Sequence, residues 1–354
     1  MRLFIIFIYI SNKIETSNYS TLYKLEKLIR INMKKGILSF VILFITNYSA
    51  AQLCSQDSRF TNTNFFLESQ IEALKGITYG NAIDYLGNSQ ELKMDLYYPN
   101  NKIDPMTKRP FILLIHGGGF THGNRQRMTY HCKELAKRGF VVATMSYRLG
   151  YKLEDIWSAQ KAVYRAQQDA HTALHFIASQ SERFKIDPSW LFIGGSSAGA
   201  ITSLCISYAS QAEWNQINPD FESVLGPLVA TDNSQNQLYT IKGIYNFMGA
   251  ISPIVFESGE LIPTISFHGE LDTTVPIGKS LKIGFGSRPI HELLSKAGVC
   301  NDLTVVPDGG HGIYRSQKDV DFRINRVACF FKSLICNSCV DFVALESIPA
   351  TCIK

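Results

Sequence analysis

A serine between two glycines carries the strongest chemical signal in the sequence. Ser197 lies in the pentapeptide GSSAG at 195–199, which follows an apolar run at 190–193 and precedes a helix-forming segment at 200–208. This G-x-S-x-G pattern between a strand and a helix is typical of a nucleophile elbow, a tight turn that presents a serine hydroxyl at a helix N-terminus. Only Ser197, and not Ser196, has a glycine two residues away on both sides. We therefore predict that Ser197 is a nucleophile.

A glycine-rich run after an apolar strand predicts a group of backbone hydrogen-bond donors. The sequence HGGGF at 116–120 comes directly after the apolar run 111–115. Glycines let the main chain approach a reacting carbonyl closely, so its N–H groups can stabilise the negative oxygen of a tetrahedral intermediate. We predict that Gly118, Gly119 and Ala198 donate these hydrogen bonds. A phosphate-binding loop is the alternative, but the run has neither G-x-G-x-x-G spacing nor a following Lys-Ser/Thr pair.

Four further residues of these motifs are predicted to have structural roles. Gly195 and Gly199 are expected to be required as glycines, because a side chain at either position would obstruct the tight turn. His116 and Gly117 begin the glycine-rich run, and we expect His116 to fix that loop by hydrogen bonding rather than to act as a base.

The elements that must position these motifs alternate between strands and helices. Short apolar runs that end in glycine-rich sequence are typical of buried parallel strands, and the segment 159–179 has apolar residues at helical spacing. This alternation predicts an α/β fold with a mostly parallel sheet in one domain. The predicted strands are 92–98, 111–115, 141–147, 190–193, 243–247, 264–268 and 303–306, and further helices are predicted at 282–296 and 320–334.

The order HGGGF then GSSAG resembles the α/β-hydrolase superfamily, and within it bacterial carboxylesterases of the hormone-sensitive-lipase and feruloyl/acetyl esterase type. The resemblance covers about residues 77–334. It implies an α/β-hydrolase fold with a central, mostly parallel eight-stranded sheet flanked by helices, and a small lid. Ser196 stands where many relatives have an acidic residue, and Ala200 where they have glycine, which leaves the subfamily and the substrate open.

The same resemblance implies the two partners of the nucleophile. The family places its acid after a late strand and its histidine last in the chain. Asp272 follows the predicted strand 264–268, and His311 follows the predicted strand 303–306. Both positions are at carboxyl ends of strands, where open α/β sheets bind their ligands. Ser197, Asp272 and His311 are therefore predicted to be nucleophile, orienting acid and general base.

Rival assignments exist for the acid and for the histidines. Glu270 and Asp308 are alternative acids, although the sequence from Asp272 to the following Val-Pro resembles the acid loop of dienelactone hydrolases and prolyl peptidases. His171 and His175 lie four residues apart on a predicted helix, as a metal-binding pair would, but no third ligand is evident and we expect no metal.

These assignments predict a serine carboxylesterase that forms an acyl-enzyme and needs no metal or organic cofactor. We expect a small-molecule or polymer-borne ester as substrate. Segments 147–148, 151–157 and 211–237 are candidate rims of an open cleft, because the candidate lid at 249–261 is short. A serine peptidase of the prolyl-oligopeptidase type and a catalytically silent binding protein on the same fold are the alternative functions.

Composition and charge exclude other classes of protein. The 354 residues are 45% hydrophobic and 18% charged, as expected of a globular chain with a large core. Residues 1–51 hold seven of the 35 Lys and Arg residues but only two of the 30 acidic ones, so the rest of the chain carries equal numbers of both charges. This balance argues against a nucleic-acid partner.

Residues 33–51 have the pattern of a signal peptide, with Met-Lys-Lys, a short apolar run and then Ser-Ala-Ala. The run is too short to span a bilayer, so we expect no stable membrane anchor and export to the periplasm or the extracellular space. We interpret residues 1–32 as an over-extended N-terminus and 52–354 as a single α/β-hydrolase catalytic domain. An uncleaved signal anchor is the alternative.

All eight cysteines lie in that predicted domain, and their pairing cannot be deduced from the sequence. Cys336, Cys339 and Cys352 indicate a C-terminal disulfide tie rather than a metal site, because a second CxxC and a nearby histidine are missing. Cys132 and Cys205 lie in helical patterns and are expected to be buried.

Overall fold

A computed structural model describes residues 54, 58–152, 155, 157–229, 238–256, 260–313, 316–339, 341–345 and 352. All of them belong to one unit, Leu53–Lys354. The segments interpreted as an over-extended N-terminus, 1–32, and as a signal peptide, 33–51, lie outside the described residues. Within the described ranges, every helix is too short or too polar to cross a membrane.

Eleven strands occur in the described residues. They are β1 (Ile71–Ile83), β2 (Ser89–Pro99), β3 (Arg109–Ile115), β4 (Val141–Met145), β5 (Ile186–Ser196), β6 (Ile241–Phe247), β7 (Thr264–Gly269), β8 (Lys279–Ser280), β9 (Gly284–Phe285), β10 (Asn301–Val306) and β11 (Phe342–Leu345). β8 and β9 form a separate antiparallel pair.

The other nine strands form one sheet in the order β1-β2-β4-β3-β5-β6-β7-β10-β11. β2 pairs antiparallel with β1 and β4, and all other neighbours are parallel. The predicted α/β fold with a mostly parallel sheet is confirmed. The predicted number of eight strands is wrong, because β11 adds a ninth strand beside β10. Neither edge strand was predicted: β1 is half-exposed, and β11 has only four residues.

Helices cover both faces of the sheet. They are α1 (Thr129–Lys137), α2 (Ser158–Ser179), α3 (Ser181–Phe184), α4 (Ala198–Tyr208), α5 (Gln211–Ile217), α6 (Asp220–Leu225), α7 (Pro253–Phe256), α8 (Ser287–Lys296) and α9 (Gln317–Ile335). The helix predicted at 282–296 begins only at Ser287. Gly284, with a φ of 101°, belongs to the short hairpin that precedes it, and a Cβ there would lie 2.3 Å from the carbonyl oxygen of Ile251.

Alternate residues of the central strands face two separate apolar layers. In β3, Phe111, Leu113 and Ile115 belong to one layer and Ile112 and Leu114 to the other, and all five are fully buried. Helices α2 and α4 contribute to the first layer, and α1 and α9 to the second. Burial on both faces explains the continuous apolar sequence of these strands.

Disulfides join the C-terminal segment to earlier parts of the chain. The pairs are Cys54–Cys336, Cys300–Cys339 and Cys329–Cys352. Each of the three cysteines predicted to form a C-terminal tie is thus bonded to an earlier cysteine. Cys132 and Cys205 are buried free thiols.

Candidate active site

The turn between β5 and α4 holds Ser197 in a conformation that few L-residues adopt. Ser197 has φ 53° and ψ −118°, and its backbone N–H donates a 2.8 Å hydrogen bond to the carbonyl of Phe247, the last residue of β6. A Cβ at Gly195 or Gly199 would lie 2.4 or 2.1 Å from the carbonyl oxygen of Ile115. Both positions therefore need glycine, and their close contact with β3 maintains the strained turn.

The side chains of Ser197, His311 and Asp272 form a hydrogen-bonded row. His311 Nε2 lies 2.8 Å from Ser197 Oγ, and His311 Nδ1 lies 2.6 Å from Asp272 Oδ2. The Asp272 side chain is fully buried, whereas that of His311 is 24% exposed. The structure thus brings together three residues that are far apart in the sequence and that follow the carboxyl ends of β5, β7 and β10.

Backbone contacts hold the acid loop after β7 against the histidine loop after β10. The N–H of Leu271 donates to the carbonyl of Gly309 at 2.8 Å, and the N–H of Glu270 donates to that of Val306 at 3.0 Å. A Cβ at Gly269 would lie 2.3 Å from the Gly309 oxygen, so the two loops cross at van der Waals distance.

Four donors surround the buried carboxylate of Asp272. Its Oδ1 accepts hydrogen bonds from the N–H groups of Thr274 and Val275 at 2.9 Å, and its Oδ2 accepts from His311. His268 Nε2 lies 3.4 Å from the same Oδ2. Burial alone would raise the pKa of Asp272, but hydrogen bonds from His268, His311 and the Val275 N–H outweigh it and lower the pKa to about 2. The ionised carboxylate can only accept, so it fixes the tautomer of His311 that leaves Nε2 as a proton acceptor.

The rival candidates do not join this row. Glu270 and Asp308 are both exposed, and among the described residues neither makes a hydrogen bond to His311. No group of three or more potential His, Cys, Asp or Glu metal ligands occurs in the described part of the chain, which includes the helix with His171 and His175.

The glycine-rich loop after β3 lies against the nucleophile turn. A Cβ at Gly117 would lie 3.4 Å from the Cβ of Ser197. Gly118 and Gly119 have φ values of 129° and 59°, and no hydrogen bond between described residues uses their N–H groups. Ala198 is the first residue of α4, so its N–H has no acceptor within the helix. The three predicted donors thus lie on the two segments that meet at this turn.

His116 lies beneath the loop and does not contact the row of three side chains. Its ring stacks on Tyr147 with centroids 4.5 Å apart, and the Tyr147 hydroxyl donates to the His116 carbonyl at 3.0 Å. His116 Nδ1 lies 2.8 Å from the Gly117 carbonyl oxygen, to which it donates. Burial lowers the pKa of His116 to about 4, so this imidazole is neutral at physiological pH.

The segment after β4 contacts both α2 and the end of the glycine-rich loop. The guanidinium of Arg148 lies 2.7 Å from Asp169, and the N–H of Gly150 donates to the carbonyl of Phe120 at 2.7 Å. Arg165 donates to the Gly150 carbonyl at 2.7 Å. The interpretation of 147–148 as a rim is wrong, because both residues are buried, Tyr147 against His116 and Arg148 against α2.

The other candidate rims lie partly outside the described residues. Within 211–229, the rings of Trp214 and Phe221 pack on Tyr164 of α2, with centroids 5.3 and 5.9 Å apart. Trp157 contacts Phe221 edge to face at 6.2 Å and is 37% exposed. Residues 153, 154, 156, 230–237 and 257–259 of the candidate rims and lid are outside the description.

One residue beside the acid was not predicted from the sequence. His268 is fully buried, and its Nε2 donates to the Val275 carbonyl at 2.8 Å as well as facing Asp272. In the sequence it is one of several histidines without a motif of its own. The available signal was its place near the carboxyl end of a parallel strand, four residues before the acid.

A family model describes the part of the chain that carries two of these motifs. Residues 94–251 match the BD-FAE model. The match runs from β2 to the turn after β6, and it includes the glycine-rich loop and Ser197.

Curated relatives share shorter stretches of sequence. Neuroligin-like protein glit-1 of Caenorhabditis elegans is 32% identical over 110 residues, 31% of this chain and 15% of that protein. Gut esterase 1 of the same organism is 36% identical over 98 residues, 26% of this chain and 17% of that protein. The probable isoprenylcysteine alpha-carbonyl methylesterase ICMEL1 of Arabidopsis thaliana is 24% identical over 166 residues, 47% of this chain and 31% of that protein. The chain thus spans less than a third of the length of these relatives.

Solved structures match most of the chain. Thermogutta terrifontis esterase 2 phosphonylated by cyclosarin has a TM-score of 0.55 and 20% identity, covering 75% of this chain and 95% of that chain. The apo form of the same esterase has a TM-score of 0.53 and 18% identity, and the match covers 78% of this chain and 98% of that chain. This likeness establishes that the chain has the fold of that esterase.

Proposed function

We propose that this chain is a serine carboxylesterase of the α/β-hydrolase superfamily and that it works through a covalent acyl-enzyme. The observation that carries the proposal is the row Ser197–His311–Asp272, with contacts of 2.8 and 2.6 Å. A hydroxyl, an imidazole with a free Nε2 acceptor and a buried carboxylate in this order are what nucleophilic attack on an ester requires. The names of the esterase relatives support the same reaction class.

In the first half of the proposed reaction, Ser197 Oγ forms a bond to the ester carbonyl carbon. His311 Nε2 takes the hydroxyl proton, and the carbonyl π electrons move to the oxygen, which the N–H groups of Gly118, Gly119 and Ala198 bind. The tetrahedral intermediate then collapses. The bond between carbon and the alcohol oxygen breaks, and His311 returns the proton to the leaving alcohol. Asp272 stabilises the imidazolium between these two steps.

Water completes the cycle by the same route. His311 Nε2 takes a proton from water as its oxygen attacks the acyl carbonyl, and the same N–H groups hold the second oxyanion. The bond from the acyl carbon to Ser197 Oγ then breaks, Ser197 recovers its proton from His311, and the carboxylic acid leaves.

The proposal is tested by covalent labelling with a fluorophosphonate probe and by hydrolysis of p-nitrophenyl esters. We expect the wild-type protein to be labelled on Ser197 and to hydrolyse the esters. Ser197→Ala should abolish both, whereas Ser196→Ala, one residue away, should leave labelling in place. A folded wild-type protein that the probe does not label would favour a catalytically silent binding protein instead.

A preference for short acyl chains or for bulky aromatic or carbohydrate alcohols is proposed as the substrate range. The short candidate lid supports an open cleft rather than one that needs a lipid interface to open. The assay is a panel of esters that differ in acyl length and alcohol bulk, with aminoacyl-prolyl amides included to detect peptidase activity. Faster hydrolysis of a C16 than of a C4 p-nitrophenyl ester would contradict the proposed range.

Export to the periplasm or the extracellular space is also proposed. The three disulfides support it, because such bonds persist in oxidising compartments and are rare in the cytosol. Mass spectrometry of the protein from its native source should find an N-terminus near Gln52 and oxidised cysteines. Recovery of residues 1–32, or of reduced thiols at Cys54 and Cys336, would contradict the proposal.

A further inference from the structure

We propose that His268 is a positioning residue that holds Asp272 in place for His311, as the last member of a buried polar chain from the nucleophile turn to the acid. The inference rests on the proposed function, because it assigns a further role in that same reaction. His268 lies on β7, is fully buried and does not touch the nucleophile.

The hydrogen bonds of His268 determine which of its nitrogens carries the proton. Nε2 lies 2.8 Å from the carbonyl oxygen of Val275, which can only accept, so Nε2 is protonated. The same N–H is 3.4 Å from Oδ2 of Asp272 and is therefore shared between a carbonyl and a carboxylate. Nδ1 lies 2.7 Å from the hydroxyl oxygen of Ser287. In its neutral form with the proton on Nε2, His268 accepts a hydrogen bond from that hydroxyl at Nδ1.

Asn246 determines the direction of the Ser287 hydroxyl. Its Oδ1 accepts from the N–H of Gly249 at 2.9 Å, which orients the amide. Its Nδ2 therefore donates to Ser287 Oγ at 3.1 Å and to Ser266 Oγ at 3.2 Å. Ser287 Oγ accepts from Asn246 and keeps its own proton to donate, which the neutral form of His268 can accept at Nδ1. Asn246, Ser266 and Ser287 are all buried, so these polar groups satisfy one another inside the fold.

The first member of this polar chain adjoins the backbone that fixes the nucleophile. Phe247, the residue after Asn246, accepts the 2.8 Å hydrogen bond from the N–H of Ser197. A Cβ at Gly249 would lie 2.7 Å from the Cβ of Ala200 in α4. The amide of Asn246 therefore tightens a turn that packs directly on the nucleophile helix. The chain Asn246–Ser287–His268 connects this turn with the acid loop.

His268 closes the acid loop onto β7. The N–H of Val275 donates to Asp272 Oδ1, and the carbonyl of Val275 accepts from His268. Without the imidazole, the Val275 carbonyl and Asp272 Oδ2 would each lose one hydrogen-bond donor in the protein interior. The carboxylate could then turn away from His311, and a displacement of about 1 Å at a reacting group costs about 100-fold in rate.

A neutral donor suits this position better than a cation. In its neutral form, His268 offers one N–H to Asp272 without cancelling the charge of the carboxylate, so the full negative charge remains available to the imidazolium of His311. An arginine or lysine at the same place would hold the carboxylate equally well, but it would compete with His311 for the charge.

The test compares two substitutions at His268 with a control elsewhere. His268→Leu removes the donor and should lower kcat for p-nitrophenyl butyrate by about 10- to 100-fold with little change in KM. His268→Gln should retain most of kcat, because its amide can place an N–H near the position of Nε2. The control is His171→Leu on α2, which removes a 3.0 Å contact to the Tyr239 hydroxyl and should affect stability only.

A double-mutant cycle with Asp272→Asn separates positioning from a general loss of structure. If His268 acts through Asp272, then His268→Leu in the Asp272→Asn background should cost less than about threefold in kcat. An equal loss in both backgrounds overturns the inference, as does a folded His268→Leu variant with wild-type kcat. If His268→Leu does not fold, Ser287→Ala replaces it in the cycle: a kcat loss that disappears in the Asp272→Asn background supports the inference, and an unchanged loss overturns it.

These outcomes are distinct from failure of the proposed function. In that case the wild-type protein itself would show neither ester hydrolysis nor labelling of Ser197. An active, labelled wild type with an unaffected His268→Leu variant would reject the positioning role alone.

Discussion

Asp272→Asn removes the charge of the acid while keeping its shape, and its effect on stability can be worked out from the structure. The pKa of Asp272 is lowered from an ordinary value of 3.8 to about 2. That difference corresponds to about 2 kcal/mol of folding free energy at neutral pH. Because the pKa is lower in the folded chain, the contribution is complete above about pH 4 and is lost as the pH falls towards 2, with about 1 kcal/mol remaining at pH 3. Urea unfolding of the wild type and the variant should therefore show a difference in the free energy of unfolding that becomes smaller as the pH falls from about 4 to about 2.

The same substitution should lower kcat by about 10³- to 10⁴-fold, the size of the effect when a triad loses the correct histidine tautomer. In the variant, the amide oxygen keeps the N–H groups of Thr274 and Val275, so its NH₂ faces His311 Nδ1. That arrangement favours protonation of Nε2, which then cannot accept the serine proton.

Glu270→Gln is the matched control, because it neutralises an exposed carboxylate only two residues away and should leave both kcat and the free energy of unfolding unchanged. The reasoning would be refuted if Asp272→Asn lowered kcat by less than about tenfold. It would also be refuted if the difference in free energy of unfolding between the wild type and this variant were as large at pH 3 as at pH 7.

Two single substitutions and one double cysteine replacement test contacts that stabilise the fold. Gly199→Ala should lower the free energy of unfolding by about 3 kcal/mol, because its Cβ would lie 2.1 Å from a main-chain oxygen, whereas Gly310→Ala, with open space around it, should cost less than about 1 kcal/mol in the same urea titration. Arg148→Leu should cost about 3–5 kcal/mol, since it leaves a buried carboxylate of α2 without its partner; a cost near zero in thermal unfolding would contradict this. Replacing both Cys54 and Cys336 by serine should lower the free energy of unfolding by about 3–5 kcal/mol under oxidising conditions. This difference should vanish when dithiothreitol reduces all the disulfides of both proteins, because the wild type then loses the same bond.

The parts of the fold that could be predicted are those whose signal is local. The continuous apolar run of β3 indicates burial on both faces, and the structure buries it in both apolar layers. The glycines at 195 and 199 indicate a tight turn, and the distances of 2.4 and 2.1 Å to a main-chain oxygen explain why no side chain fits there. In each case the information lies within about ten residues of the element itself.

The parts that could not be predicted depend on contacts between distant segments. β11 has only four residues, which is too short for a clear sequence periodicity. It is a strand because it pairs with the edge of β10. The Cys54–Cys336 pair joins residues 282 positions apart, and no spacing rule identifies it. Burial of Arg148 follows from its partner on α2, which is why a surface rim was the wrong interpretation. His268 lies near the acid loop in the sequence, but its contact with Ser287, the first residue of α8, joins residues 19 positions apart and carries no local signal.

The proposed reacting groups sit on loops, yet the backbone of each loop is fixed by a neighbouring element. The N–H of Ser197 is bound to the end of β6, the acid loop is bound to the histidine loop by two backbone hydrogen bonds, and the glycine-rich loop is bound to the segment after β4. These constraints are contacts within the protein, so the backbone of the proposed nucleophile and of the predicted donors is fixed without an ester. Preorganised dipoles of this kind lower a barrier because they need no rearrangement as charge develops. It follows that kcat should depend on the buried backbone contacts that fix these loops.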